Sequence, residues 1–219
     1  MIITIDGPAA AGKGTLAQKL AQKYQLAYFD TGMVYRATGL SLVLENIDPE
    51  NAEEAEKAAK SLTFSSMMLL SEHPDFRSNI GGQAASKVAA LPGVRAALLK
   101  MQQDFALNPQ FADGSPAQGV VYDGRDTGTV VCPKADIKLF ITASSEVRAM
   151  RRYKEFMEKG IPATYEDVLA QTKERDLRDS SRSSAPLKPA EDAVIIDTSD
   201  MSIDSVFQKV CCLIEAKNI

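Results

Sequence analysis

Ile2-Ile3-Thr4-Ile5-Asp6-Gly7-Pro8-Ala9-Ala10-Ala11-Gly12-Lys13-Gly14-Thr15-Leu16 is the stretch that decides the fold. Ile2 to Ile5 is a short, apolar, β-branched run, which reads as a buried parallel strand. Leu16, Leu20 and Tyr24 then recur every four residues, with Ala17 and Ala21 beside them, which marks one face of a helix. The turn from Gly7 to Thr15 thus lies between a strand and a helix, the context a phosphate loop requires. Glycines let backbone N–H groups turn inward onto phosphate oxygens. The helix N-terminus adds about half a positive charge. Lys13 offers a mobile cation to the β- and γ-phosphates, and Thr15 a hydroxyl. The competing reading, a small-residue turn that only packs a helix on a strand, explains neither the lysine nor the Gly-Thr after it. The strict motif has Ser or Thr directly after the lysine, and here Gly14 intervenes. The expectation is therefore Mg²⁺ held through water and mainly by the phosphates, with no metal site built of protein ligands.

Outward from the loop, strands and helices alternate. Ala27 to Phe29, Val120 to Tyr122 (ending in Asp123), Ile137 to Thr142 and Val194 to Ile196 read as further strands. Val34 to Leu44, Gln83 to Ala90, Val94 to Phe105 and Ile203 to Ile214 read as helices. Pro92 suits the start of the helix at Val94. Ser145, with Glu146 in the first turn, is the expected cap of a helix ending near Gly160 and Pro162. Thr164 with Asp167 resembles a capping box that opens the next. The alternation implies an α/β fold, a parallel sheet flanked on both sides by helices. From Asn46 to about Asn79 the pattern is less regular. A charged helix over Glu50 to Lys60, then one or two short strands, would make this an inserted lobe.

Composition narrows the function classes. The chain has 219 residues, 45% hydrophobic and 25% charged, with net charge −4. These are ordinary globular values, enough for one domain over 1–219 with a small appended lobe. A weakly acidic chain has no long-range pull toward nucleic-acid polymers or anionic lipid. Cys132, Cys211 and Cys212 form no C-x-x-C pair and read as free thiols. His73, beside Pro74, reads as an exposed loop residue rather than a catalyst. No secretory signal precedes the first strand and no apolar run reaches the ~18 residues of a membrane helix, so a cytoplasmic protein is expected. With no heptads and no obvious apolar edge, it is expected to be a monomer.

Four further groups of residues point to an acceptor for the phosphoryl group. Asp30-Thr31-Gly32, with Tyr35-Arg36 one turn on, follows the second strand. Asp123-Gly124-Arg125-Asp126 follows the third. Both lie at strand C-terminal ends, where open α/β sheets bind ligands. Ser86 and Arg95 lie nine apart across Pro92. Arg175, Arg178, Asp179 and Arg182 are spaced to share one helix face. Three arginines on one face repel unless an anion sits among them, and Asp179 offsets only part of that. Alone the cluster could be a solvated salt-bridge face. Beside a phosphate loop it reads as a lid that closes over a transferring phosphoryl group.

With Gly128-Thr129-Val130-Val131 and Ala185-Pro186-Leu187 added, these motifs resemble the bacterial cytidylate kinase family of P-loop nucleoside monophosphate kinases, over nearly the whole chain. The resemblance implies an acceptor-binding lobe at about 46–92 and a lid at about 160–190. It implies ATP with Mg²⁺ as donor, and CMP and dCMP as acceptors. Gly7, Pro8, Ala9, Ala10, Ala11, Gly12, Lys13, Gly14 and Thr15 would hold the ATP phosphates. Ser86, Arg95 and Asp126 match the family's cytosine-reading groups. Arg36, Arg125 and Arg182 match its acceptor-phosphate clamp, and Asp179 with Arg175 its ribose contact. Thr31 stands in the acceptor pocket where the family often has serine. Lys13, Arg125, Arg178 and Arg182 would carry the chemistry. Cytosine's exocyclic amino group donates to a carboxylate such as Asp126, whereas uracil would present an oxygen there. Ala10 replaces a glycine common in the family, which implies a slightly different loop path. Rival readings are a P-loop kinase for UMP, AMP or shikimate, and a nucleotide-binding switch.

Overall fold

A computed structural model describes residues 1–182 and 184–217. Its strands are β1 (Ile2–Asp6), β2 (Ala27–Asp30), β3 (Val120–Gly124), β4 (Ile137–Thr142) and β5 (Val194–Asp197). They form one sheet in the order β2-β3-β1-β4-β5. β1 pairs in parallel with β3 and with β4, and β4 with β5. Parallel strands are buried on both faces, which is why they read as continuous apolar runs.

The chain divides into two compact units, Met1–Phe29 with Asn108–Ile219, and Asp30–Leu107. The first unit holds the sheet core. Ile3 and Ile5 of β1 and Leu139 and Ile141 of β4 pack with Leu16 and Leu20 of helix α1 (Lys13–Tyr24). Val206, Val210 and Ile214, from the helix Ile203–Ala216 that ends the described chain, join the same cluster. β5 is an edge strand. It exposes Val194 and Ile195 and buries Ile196, so the expected absence of an apolar edge does not hold.

The second unit is helical: α2 (Gly32–Leu44), α3 (Ala52–Ser61), α4 (Phe64–Ser71), α5 (Asn79–Val88) and α6 (Pro92–Leu107). The charged helix expected from Glu50 to Lys60 is α3, capped by Asn51. The short strands expected after it are not formed among the described residues. A capping box starts α4 there, in which Thr63 and Ser66 each bond the other's backbone N–H. Pro74–Arg77 adds a 3₁₀ turn capped by His73. Pro92 opens α6 as the sequence suggested.

Back in the first unit, α7 (Ser145–Glu158) and α8 (Tyr165–Ser180) pack on one another. The cap of α7 is Ser144, not Ser145: its Oγ accepts from Val147 N–H at 3.3 Å. Thr164 caps α8 as expected, accepting from Asp167 N–H at 3.2 Å. The last helix is α9 (Ile203–Ala216). Among the described residues no helix is long and apolar enough to cross a membrane.

Candidate active site

The loop between β1 and α1 is bent by residues with positive φ: Gly7 at 145°, Ala10 at 59° and Gly12 at 90°. A Cβ on Gly7 would lie 1.9 Å from the Ile141 carbonyl oxygen, so only glycine lets the loop leave the sheet there. Ala10 takes the left-handed bend that glycine adopts freely, at a cost of roughly 1–2 kcal/mol. A Cβ on Gly14 would meet Asp123 Oδ2 at 3.1 Å. A side chain at this position would therefore press on the Asp123 carboxylate.

Lys13 is buried and folded back on its own loop. Its Nζ donates to the Pro8 carbonyl at 3.0 Å and lies 3.7 Å from Asp123. Burial first, then the fields of Arg125 and Arg175, lower it from 10.5 to about 8, against the pull of Asp123 and Asp6. A buried cation short of negative charge, on a loop that opens a helix, fits a polyphosphate. Thr15 is exposed at the same helix start.

Asp6, at the end of β1, does a job the sequence did not reveal. One carboxylate oxygen accepts from the Thr127 N–H and hydroxyl at 2.8 Å each, and the other from Gly128 N–H at 2.8 Å. Burial raises its pKa, partly offset by those three bonds. Asp6 thereby anchors the π-helical turn Thr127–Val131, which follows directly on Arg125 and Asp126.

The arginine cluster gathers differently from the single helix face inferred from spacing. α8 ends at Ser180, so Arg182 lies beyond the helix. The chain turns at Ser181, and Arg182 Nη2 returns to bond Asp179 Oδ1. Arg125 Nε reaches Asp179 Oδ2 at 3.3 Å, and Arg175 Nε lies 4.0 Å from that oxygen. Three guanidiniums thus meet one buried carboxylate. Burial alone would push Asp179 up; Arg125, Arg182 and Arg175 outweigh it and hold the carboxyl below its usual range. Arg178 bonds Glu174, one turn earlier, on an exposed part of α8. Arg148 of α7, which carried no signal in the sequence, and Asp176 of α8, which belongs to the Arg175–Arg182 motif but was given no role, form a bidentate pair.

A recess of about 280 Å³ lies beside the loop, lined by Gly12, Leu16, Arg151, Thr198, Met201 and Val206 among others. Its walls are mostly apolar, with the Arg151 guanidinium held by the Thr198 hydroxyl and carbonyl at 3.2 and 2.7 Å.

In the second unit, Thr31 precedes α2 and is buried, and Asp30 Oδ1 accepts from Gly32 N–H at 2.8 Å. Arg36 Nη1 donates to the Phe76 carbonyl at 3.0 Å. Ser86 is buried on α5. Arg95, also buried, donates to the Ala89 carbonyl at 3.1 Å, and its guanidinium lies 5.4 Å from the Tyr35 ring centroid. Buried polar groups are costly unless hydrogen-bonded, and Arg36 and Arg95 are held by the Phe76 and Ala89 carbonyls.

A glycine-bent loop between the first strand and first helix of a parallel sheet, a buried lysine and a gathered arginine cluster define a P-loop kinase. Similar architecture is found in an uncharacterized protein from Eubacterium ventriosum (TM-score 0.53, 13% identity, 98% of each chain). It recurs in shikimate kinase from Bacteroides thetaiotaomicron (TM-score 0.50, 11% identity, 98% of each chain). The profile of the family described as Cytidylate kinase matches residues 3–216, and the chain belongs to that family. It is 50% identical over 216 residues to the cytidylate kinase of Paramagnetospirillum magneticum, covering 99% of this chain and 98% of that one. To the cytidylate kinase of Rhodospirillum rubrum it is 50% identical over 206 residues, covering 93% and 92%.

Proposed function

We propose that this chain transfers the γ-phosphoryl group of ATP directly to CMP, and to dCMP, without a covalent intermediate. The observation that carries the reading is the joint geometry of the loop and the arginine cluster: Lys13 is buried on the glycine-bent loop, three guanidiniums gather on Asp179, and burial first, then Arg125 and Arg175, depress the lysine. So much positive charge around one lysine suits the highly charged phosphates of a donor and acceptor together.

The residues from Gly7 to Thr15 hold the donor phosphates, and Lys13 bonds their oxygens. The recess by Arg151 takes the donor base. Mg²⁺, held mainly by the donor phosphates and water, would neutralise charge on their oxygens. Arg36, Arg125 and Arg182 hold the acceptor phosphate in line, while Ser86, Arg95 and Asp126 read the cytosine. Thr31 lines the acceptor pocket, and Asp179 with Arg175 takes the ribose. Arg178 assists at the lid. The acceptor oxygen is already anionic, so the reaction needs alignment and charge stabilisation rather than a strong base. Of these groups the acceptor lobe of about 46–92 supplies Ser86, and the lid of about 160–190 supplies Arg175, Arg178, Asp179 and Arg182. We place the enzyme in the cytoplasm, and read it as a monomer on the lack of heptads alone, since the β5 edge exposes Val194 and Ile195.

The test is a panel of CMP, dCMP, UMP, AMP and shikimate with ATP·Mg²⁺, following nucleoside diphosphate and free phosphate separately. CMP and dCMP should be the preferred acceptors. Preference for another acceptor would replace the substrate, and free phosphate without transfer would replace the activity by that of a hydrolytic switch.

A further inference from the structure

Arg148 makes contacts out of proportion to a helix-surface arginine. Its side chain is 5% exposed. Nε donates to the Ala143 carbonyl at 2.9 Å, where β4 leads into α7. Nη1 donates to the Ala9 carbonyl of the phosphate loop at 3.2 Å and to Asp176 Oδ1 at 3.0 Å, and Nη2 to Asp176 Oδ2 at 2.5 Å. One rigid, planar fork therefore touches the sheet end, the loop and α8.

We propose that Arg148 and Asp176 are positioning residues that set the phosphate loop in register with the arginine cluster. The inference rests on the kinase reading above. The loop end of the device is a single peptide plane. The Ala9 carbonyl and the Ala10 N–H lie trans across a planar bond, so fixing one fixes the other. With the carbonyl held on Arg148, the Ala10 N–H points away from it, and the unfavourable left-handed bend at Ala10 is kept. The other end is Asp176, immediately after Arg175 and one turn before Asp179 and Ser180. A shift of Arg148 would thus move the loop and the arginine-bearing helix against each other. Buried ion pairs are often no more stabilising than apolar packing of the same volume, so stability alone is a weak reason for this one. The exposed pair of Lys173 with Glu146, at 3.1 Å, also joins α8 to α7 but touches neither loop nor cluster. It is the natural control.

The variants are Arg148→Lys, which keeps the charge but loses the fork, Asp176→Asn, which keeps the shape, and the double variant. Each is assayed for kcat and KM well below its own Tm. Arg148→Lys and Asp176→Asn should each lower kcat at least about tenfold, since small misplacements cost up to ~10²-fold, with KM for CMP changed less than about threefold. The double variant should be no slower than the slower single one, because both break the same unit. Lys173→Ala should keep wild-type kcat. The amide resonance of Ala10 should move in Arg148→Lys, and should respond less to ATP than in the wild type. A folded Arg148→Lys or Asp176→Asn with kcat within twofold of wild type would overturn the proposal. So would multiplicative losses in the double variant, an equal loss in Lys173→Ala, or an unaltered Ala10 amide. If the wild type transferred no phosphoryl group to CMP, the substrate reading would fall, while the Ala10 response to ATP would still decide the positioning role.

Discussion

ATP binding should draw a proton onto Lys13, and the amount should grow with pH. The lysine of the free loop is held at about 8, against an ordinary 10.5, because it is buried and stands in the field of Arg125 and Arg175. That displacement corresponds to about 3 kcal/mol of disfavoured charge. Phosphate oxygens supply the missing negative charge and return the lysine to the ordinary range or above. With a free-state value of about 8, roughly a quarter of the molecules carry the proton at pH 8.5, so binding should take up about three-quarters of a proton. At pH 7 the free lysine is already about nine-tenths protonated, and uptake by this route should fall to about a tenth. The sign follows from linkage: a group whose pKa rises on binding takes up protons, so affinity loses with pH above about 8. At pH 8.5 the terminal phosphate is itself fully ionised and contributes little. Calorimetric titration with ATP in two buffers of different ionisation enthalpy reads the uptake directly. Lys13→Ala should keep the fold, lose the uptake and slow transfer by at least ~10²-fold. Uptake under about 0.2 at pH 8.5 in the wild type, or uptake that survives in Lys13→Ala, would refute the argument.

Arg182→Ala should lower kcat on the order of 10³–10⁵-fold while changing ATP affinity far less; a drop in Tm with kcat unchanged would make the cluster a structural brace. Asp126→Asn should shift kcat/KM away from CMP toward UMP, with a loss of roughly 1–3 kcal/mol for CMP, because an amide can donate where a carboxylate only accepts. An unchanged ratio in a stable variant would remove Asp126 from base reading. Asp6→Asn turns an NH₂ group toward the Gly128 or Thr127 donors and should cost roughly 1–3 kcal/mol in chemical denaturation, with a fall in kcat as the turn after Arg125 loosens.

Much of this was legible because local patterns and global fold agree. β1, the loop and α1 follow from a β-branched run, small residues and a four-residue period, each with its own physical cause. The segment after α3 was harder. Phe64 to Leu70 is apolar without clear period, and the reciprocal Thr63–Ser66 cap uses serine where a capping box usually has Glu or Gln. The same limit explains Ser144 for Ser145: adjacent serines are equivalent in sequence, and only backbone geometry chooses. At the lid, spacing placed Arg182 on a helix face because it assumed that the helix continued, whereas α8 stops at Ser180 and Asp179 recovers the arginine after a turn. Arg148 and Asp6 were invisible for another reason. The carboxylate partner of Arg148 lies 28 residues away and the partners of Asp6 at least 121, and nothing local marks them.

The carboxylate at Asp179 has a bearing on how quickly the enzyme can begin again. An arginine cluster with no anion of its own would grip phosphates tightly and release them slowly, for the vacated state would be a bare knot of repelling charge. With Asp179 in the middle, and the cluster holding phosphates as proposed, departure of the product would be an exchange: as each phosphate oxygen left, the carboxylate that already bonds Arg125 and Arg182 would take its guanidinium back. On that reading the resting cluster would stay gathered for the next substrate, and the tightness given up in binding would return as a shorter dwell of the product.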